Sequence, residues 1–212
     1  MHPPPAKALR DPVVLASRLA EVNAPHVHAL NALVRDMRQL KGADHAIPYF
    51  DPHDGGIAGE LLFLLEAPGP RAKRTNIVSR DNPDETAKNI LEFSYFAGLE
   101  RSKIVLWNIV PWFIGIAHEG KEKIRAAKAR DIREGLEQLG RVLELLPKLK
   151  IAVFVGNKAA EATDFVMATR PTISIHRMPH PSPVFVNRSP NENKMRLLQA
   201  LKGVHDALRS ES

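Results

Sequence analysis

Four short, largely apolar runs, Leu61–Leu65, Ile104–Val110, Ile151–Val155 and Thr172–Met178, constrain this chain more than any other feature. The first three, without polar alternation, read as buried strands, and Thr172–Met178 as a fourth strand. The stretches between them are long enough for helices, whereas antiparallel neighbours would need only tight turns, so the runs imply parallel strands joined by right-handed crossovers. Helical spacing supports this: Val27, Leu30, Val34 and Met37 mark a first helix, and Ile132, Leu136, Leu139, Leu143 and Leu146 mark a long one from about Glu122 to Leu146. Asn82-Pro83-Asp84-Glu85 reads as a helix start with Asn82 as cap, leading to about Gly98. A short helix passes through Ala159 and Ala162. Ser189-Pro190-Asn191-Glu192 repeats the cap logic ahead of Leu197, Leu201, Val204 and Leu208. The expected fold class is α/β: a three-layer α/β/α domain with a central four-stranded parallel sheet.

A chain of 212 residues suits a single domain over residues 1–212, with the proline-rich residues 1–12 as a loose tail. Zero cysteines exclude disulfides, thiolate zinc sites, iron–sulfur clusters and thiol nucleophiles. No apolar run approaches the roughly 18 to 20 residues of a membrane span, so no membrane partner is expected. Met1-His2-Pro3-Pro4-Pro5 lacks the basic and apolar stretches of an export signal, which leaves a cytoplasmic location. A net charge of +6 favours polyanionic partners such as nucleic acid.

Ligands of parallel sheets collect at the carboxyl ends of the strands. There the sequence places Glu66-Ala67-Pro68-Gly69-Pro70, then Asn108 and Pro111-Trp112, then Gly156-Asn157, then Pro179-His180-Pro181-Ser182-Pro183. One carboxylate, one carboxamide and one imidazole thus meet at one rim. No glycine fingerprint for dinucleotides, phosphate-loop lysine or zinc-deaminase signature accompanies them. Asp51, His53 and Asp54 look like hard-metal ligands, but a solvated turn in the Gly- and Pro-rich segment from Gly42 to Gly59 is the plainer reading. His176 reads as a packed or paired core histidine, and Lys121 to Arg133 mainly as the solvated face of a helix, with nucleic-acid contact the lesser reading.

Glu66-Ala67-Pro68-Gly69, Asn108-Ile109-Val110-Pro111 and His180-Pro181-Ser182-Pro183, in that order at strand ends, resemble the motifs of the uracil-DNA glycosylase superfamily from about Ile47 onward. The acidic motif is most similar to the iron–sulfur-containing branch, and without cysteines this chain would be a cluster-free relative. The resemblance implies a metal- and cofactor-independent DNA repair glycosylase, acting as a monomer on a damaged base in single- or double-stranded DNA. Glu66 would stabilise the sugar cation or orient water, His180 would stabilise the leaving base, and Asn108, with Ala67, Pro68 and Trp112, would bind the base. Gly69, Ser182, Phe185 and Arg188 would contact DNA, Val184 or Phe185 as a wedge in the stack, with charge added by Lys158, Arg71, Lys73 and Arg74. The stretch from Thr75 to Asn82 lacks the aromatic that the family stacks on the base; Trp112, Tyr49 and Phe50 are the alternatives. Two rivals stay open: a relative that binds damaged or single-stranded DNA without turnover, and a hydrolase of free nucleosides or nucleotides.

Overall fold

The computed structural model describes residues 2–42, 45–118 and 121–211. In chain order the elements are α1 (Pro12–Ala20), α2 (Pro25–Lys41), β1 (Tyr49–Phe50), β2 (Leu61–Leu65), α3 (Pro70–Thr75), β3 (Ile77–Val78), α4 (Glu85–Phe96) and β4 (Ile104–Asn108). The hairpin β5 (Gly115–His118) and β6 (Lys121–Ile124) comes next. After it come α5 (Ala129–Glu144), β7 (Ile151–Val155), α6 (Thr163–Thr169), β8 (Ser174–Met178), α7 (Pro183–Arg188) and α8 (Pro190–Ser210).

The expected sheet is present: β4, β2, β7 and β8 lie side by side in that order, all parallel. Strand side chains alternate between its two faces. Leu62, Leu64, Val105, Trp107, Ala152 and Phe154 join one core with Leu30 and Val34 of α2 and Leu139 and Leu143 of α5. Leu61, Phe63, Ile104, Leu106, Ile151 and Val153 join the other with Leu197, Leu201 and Val204 of α8. Burial on both faces is what the unalternating apolar runs of β2, β4 and β7 require, whereas β8, whose run mixes polar and apolar residues, is only half-buried at the sheet edge.

Several expected boundaries move, each for a local reason. Asp84, not Asn82, caps α4, its carboxylate accepting from the Ala87 N–H at 2.8 Å. Asn82 is already committed: it donates to the Ile77 carbonyl at 2.9 Å and accepts from the Thr75 hydroxyl at 2.6 Å. The helix expected from Glu122 begins at Ala129, because β5 and β6 pair antiparallel with Gly115 opposite Ile124. Lys121–Arg133 is therefore a hairpin strand, a link and the first turn of α5 in succession, rather than one helix face. Ser189 caps α8 by position, without a side-chain bond.

The tail expected to be loose is fastened from Lys7 onward. Lys7 pairs with Glu85, Leu9 is 2% exposed and gives its N–H to the Asp81 carbonyl at 3.1 Å, and Asp11 caps α1. Nor are Asp51 and Asp54 in a solvated turn; both are buried and bonded to guanidiniums. His176 sits half-buried on the edge strand β8 rather than in the core. Among the described residues no helix is long and apolar enough to cross a membrane.

Candidate active site

Residues at the carboxyl ends of β2, β4 and β8 enclose a cavity of about 290 Å³. Register explains part of the convergence: Leu65 stands opposite Asn108, and backbone bonding continues past the strand ends, with Ile109 N–H on the Leu65 carbonyl at 2.8 Å and Val110 N–H on the Glu66 carbonyl at 2.9 Å. Asn108, His180, Ala67, Pro68 and Gly69 all line the cavity, and its apolar wall is aliphatic, from Val78, Ile90 and Leu106. Asn108 is 3% exposed and its amide nitrogen Nδ2 is buried without a hydrogen-bond partner. A buried donor left unpaired costs roughly 1–3 kcal/mol, which a ligand carbonyl would recover.

His180 is held from two sides. Gly156, at φ +83°, lies so close that a Cβ there would stand 3.1 Å from the His180 Cβ, so the turn after β7 needs glycine for space and for conformation. From α4, the Asn89 amide donates to the Pro181 carbonyl at 2.8 Å, fastening the next residue. Burial pushes the imidazole below its ordinary pKa, against the opposing pull of the Glu66 and Asp84 charges. At neutral pH it is the uncharged ring, still able to donate one N–H.

Glu66 is half-buried beside the cavity rather than in its lining, and its Oε1 accepts from the Ala127 N–H at 2.7 Å. That donor belongs to the link between the hairpin and α5. Asp84 is a cavity-lining carboxylate outside the three motifs. Its pKa is raised by burial, against the Ala87 and Thr86 N–H groups and the Arg71 guanidinium. The sequence carries little signal for it: three residues on stands Ala87 rather than the Glu or Gln of a capping box, whereas Asn82 has Glu85 at that spacing.

Other expected site residues stand elsewhere. Trp112 is buried outside the cavity, with the Lys41 ammonium 3.8 Å from its ring centroid. Phe50 stacks on Trp107 at 4.0 Å and Tyr49 lies under the Arg38 guanidinium, so none of these three aromatics faces the cavity. Phe185 is half-buried against the α8-side core, with the Arg196 guanidinium 5.5 Å from its ring, whereas Val184 is 75% exposed. The Ser182 hydroxyl oxygen caps α7 by accepting from the Phe185 N–H at 3.3 Å. Arg188 is exposed, Lys158 pairs with Glu161, and the Lys73 ammonium lies 4.8 Å from the Phe113 ring centroid.

Behind the cavity lies a buried ionic cluster. Arg18 and Arg101 both bond Asp51 and Asp81, and Arg80 and Arg101 both bond Asp54. Ser79, which also lines the cavity, donates its hydroxyl to Asp51. The cluster ties α1, the loop after β1 and the loop after β3 together, and so fixes the cavity wall at Val78 and Ser79. The aspartates suggested as metal ligands are thus occupied by guanidiniums.

A family model for the uracil DNA glycosylase superfamily matches residues 52–202, which include every motif around this cavity. The chain belongs to that superfamily. A similar solved structure is SMUG2 of Pedobacter heparinus, at 18% identity and a TM-score of 0.55, covering 72% of this chain and 76% of that one. Another is a candidate uracil DNA glycosylase of Methanosarcina acetivorans, at 16% identity and a TM-score of 0.47, covering 69% of this chain and 91% of that one. The first likeness supports the uracil DNA glycosylase fold. A search of curated proteins returned no match.

Proposed function

We propose that the protein is a monofunctional DNA glycosylase that hydrolyses the N-glycosidic bond of uracil or another deaminated base. Water adds its hydroxyl to the sugar C1′ and its proton ends on the departing base, leaving an abasic site. Positive charge builds on the sugar and negative charge on the base, so an anion is needed near the first and donors near the second. Glu66 is the anion, stabilising the sugar cation and orienting the water. His180 donates to the base oxygen that gains charge, and Asn108 reads the base edge with its amide. Ala67 and Pro68 shape the base pocket; Gly69 and Ser182 meet the flanking phosphates, and Val184 fills the gap left in the stack. Extruding the base costs a few kcal/mol, less at damaged positions.

The observation that carries this reading is the unpaired, buried Asn108 nitrogen in a base-sized cavity shared with His180. A second reading, DNA binding without turnover, draws on Glu66 lying outside the cavity lining with one oxygen tied to Ala127. One experiment tests both. Purified protein is incubated with oligonucleotides carrying uracil, hypoxanthine, xanthine or a G·T mismatch, and alkali then cleaves any abasic product. Strand scission on at least one, abolished in Glu66→Gln with binding retained, is expected. No scission on any would favour the binding reading, and release only from free deoxyuridine would move the site to small molecules.

A further inference from the structure

A second concavity, of about 280 Å³, runs between the N-terminal segment and α3. Arg10, Arg71 and Arg74 line it, all three exposed, over a floor that includes Leu9, Leu15 and Pro83. Among the described residues none of the three arginines is in an ion pair or donates a side-chain hydrogen bond. This is unusual company for the region, where Lys7 is taken by Glu85 and the arginines of the buried cluster are all bonded to aspartates. Asp84 feels the Arg71 charge and Glu85 the Arg10 charge without bonding either, so three like charges around one hollow still attract a further anion. The planar guanidinium fork suits phosphate oxygens in particular.

The groove also adjoins the base cavity, since Arg71 lines both. We propose that it seats the phosphodiester backbone next to the flipped nucleotide, making the N-terminal segment part of the DNA-binding surface. The buried Leu9, with its N–H on the Asp81 carbonyl, holds Arg10 against α3 for this purpose. The inference rests on the glycosylase reading for the identity of the strand, but on the arginines alone for its charge.

The test measures the affinity of the full chain for an undamaged, labelled single-stranded oligonucleotide between about 50 and 200 mM salt, since the phosphate contribution does not depend on sequence. Removing two phosphate contacts in Arg10→Ala/Arg74→Ala should flatten the slope of log K against log salt by about 1.4, at about 0.7 per contact on a single strand. Arg10→Lys/Arg74→Lys should restore most of it. Lys148→Ala, at the amino edge of the sheet just before β7, should leave it unchanged. An unchanged slope in the alanine pair, or a lysine pair that fails to restore it, overturns the groove. Base release by the wild type is scored separately. Release with an unaltered slope rejects the groove alone, and an altered slope without release rejects the glycosylase reading alone.

Discussion

Two polar centres flank the loop from Val78 to Asp84, and they are satisfied to very different degrees. In the ionic cluster three arginines meet three aspartates, so the formal charges cancel and, among the described residues, each side chain has at least one opposite partner, although the atoms Asp54 Oδ2 and Arg80 Nε are themselves unpaired. Around the cavity, Asn108 keeps an unbonded amide nitrogen, and burial lowers the pKa of the His180 imidazole against the pull of the Glu66 and Asp84 charges. The first arrangement uses its polar groups to hold chain segments together. The second leaves them short of partners, at a cost in stability, and a bound base would supply what is missing. If that contrast is correct, damage to the two centres should separate cleanly into lost activity and lost stability.

The largest effect should come from Glu66→Gln. The glutamine keeps an oxygen to accept the Ala127 N–H but not the charge, so base release should fall by about 10²–10⁴-fold. Thermal unfolding should hardly change. A loss of activity matched by a loss of fold would break the contrast at its most exposed point.

Next is Asp51→Asn, which breaks buried pairs to Arg18 and Arg101 and should cost about 3–5 kcal/mol, read from denaturant unfolding. Activity per folded molecule should change less, because none of the cluster's charges lines the cavity. Asn108→Ala should behave in the opposite way. Loss of a donor to the leaving base costs about 10²–10³-fold in rate, while stability should hold or rise, by up to about 1–3 kcal/mol, because the deletion removes a buried donor that had no partner. Equal stability losses in the two variants would remove the distinction.

The sheet and the positions of Glu66, Asn108 and His180 at its rim are legible in sequence for one reason. The covered strands β2, β4 and β7 leave unbroken apolar runs and the edge strand β8 a mixed one, and the residues at or just past the end of each run must lie at the sheet's end. The cluster is not legible. Asp51, Asp54, Asp81, Arg18, Arg80 and Arg101 come from four separate segments with no spacing rule, and a carboxylate in a Gly-rich loop looks the same whether water or a guanidinium is opposite. Asp84 is hidden because the capping-box spacing to Glu85 points to Asn82, and only the tertiary bonds of Asn82 to Thr75 and Ile77 take it out of that role. The aromatic substitutes for a base-stacking face fail for a related reason: Phe50 and Trp112 are large and apolar, so the core claims them. The hairpin is masked by its charges, which in sequence extend the helical pattern of α5 backwards.

The smallest predicted effect concerns His180 and sharpens the contrast by pH. Burial lowers its pKa below the ordinary value of about 6.5, so in the folded protein the ring stays neutral where the unfolded chain has begun to take up a proton. The unfolded state therefore binds more protons in this window, and stability contributed by the neutral ring is present above about pH 6.5 and is lost as pH falls through the folded value. For catalysis the same shift means that base release at pH 6.5 should remain within about twofold of its rate at pH 7.5, with the acid limb lying lower. Glu66 and Asp84 both pull the other way, so Asp84→Asn should move that limb further down. An acid limb at or above pH 6.5 in the wild type, unmoved by Asp84→Asn, would mean that His180 is an ordinary solvated histidine and that the cavity is not the water-poor pocket its lining describes.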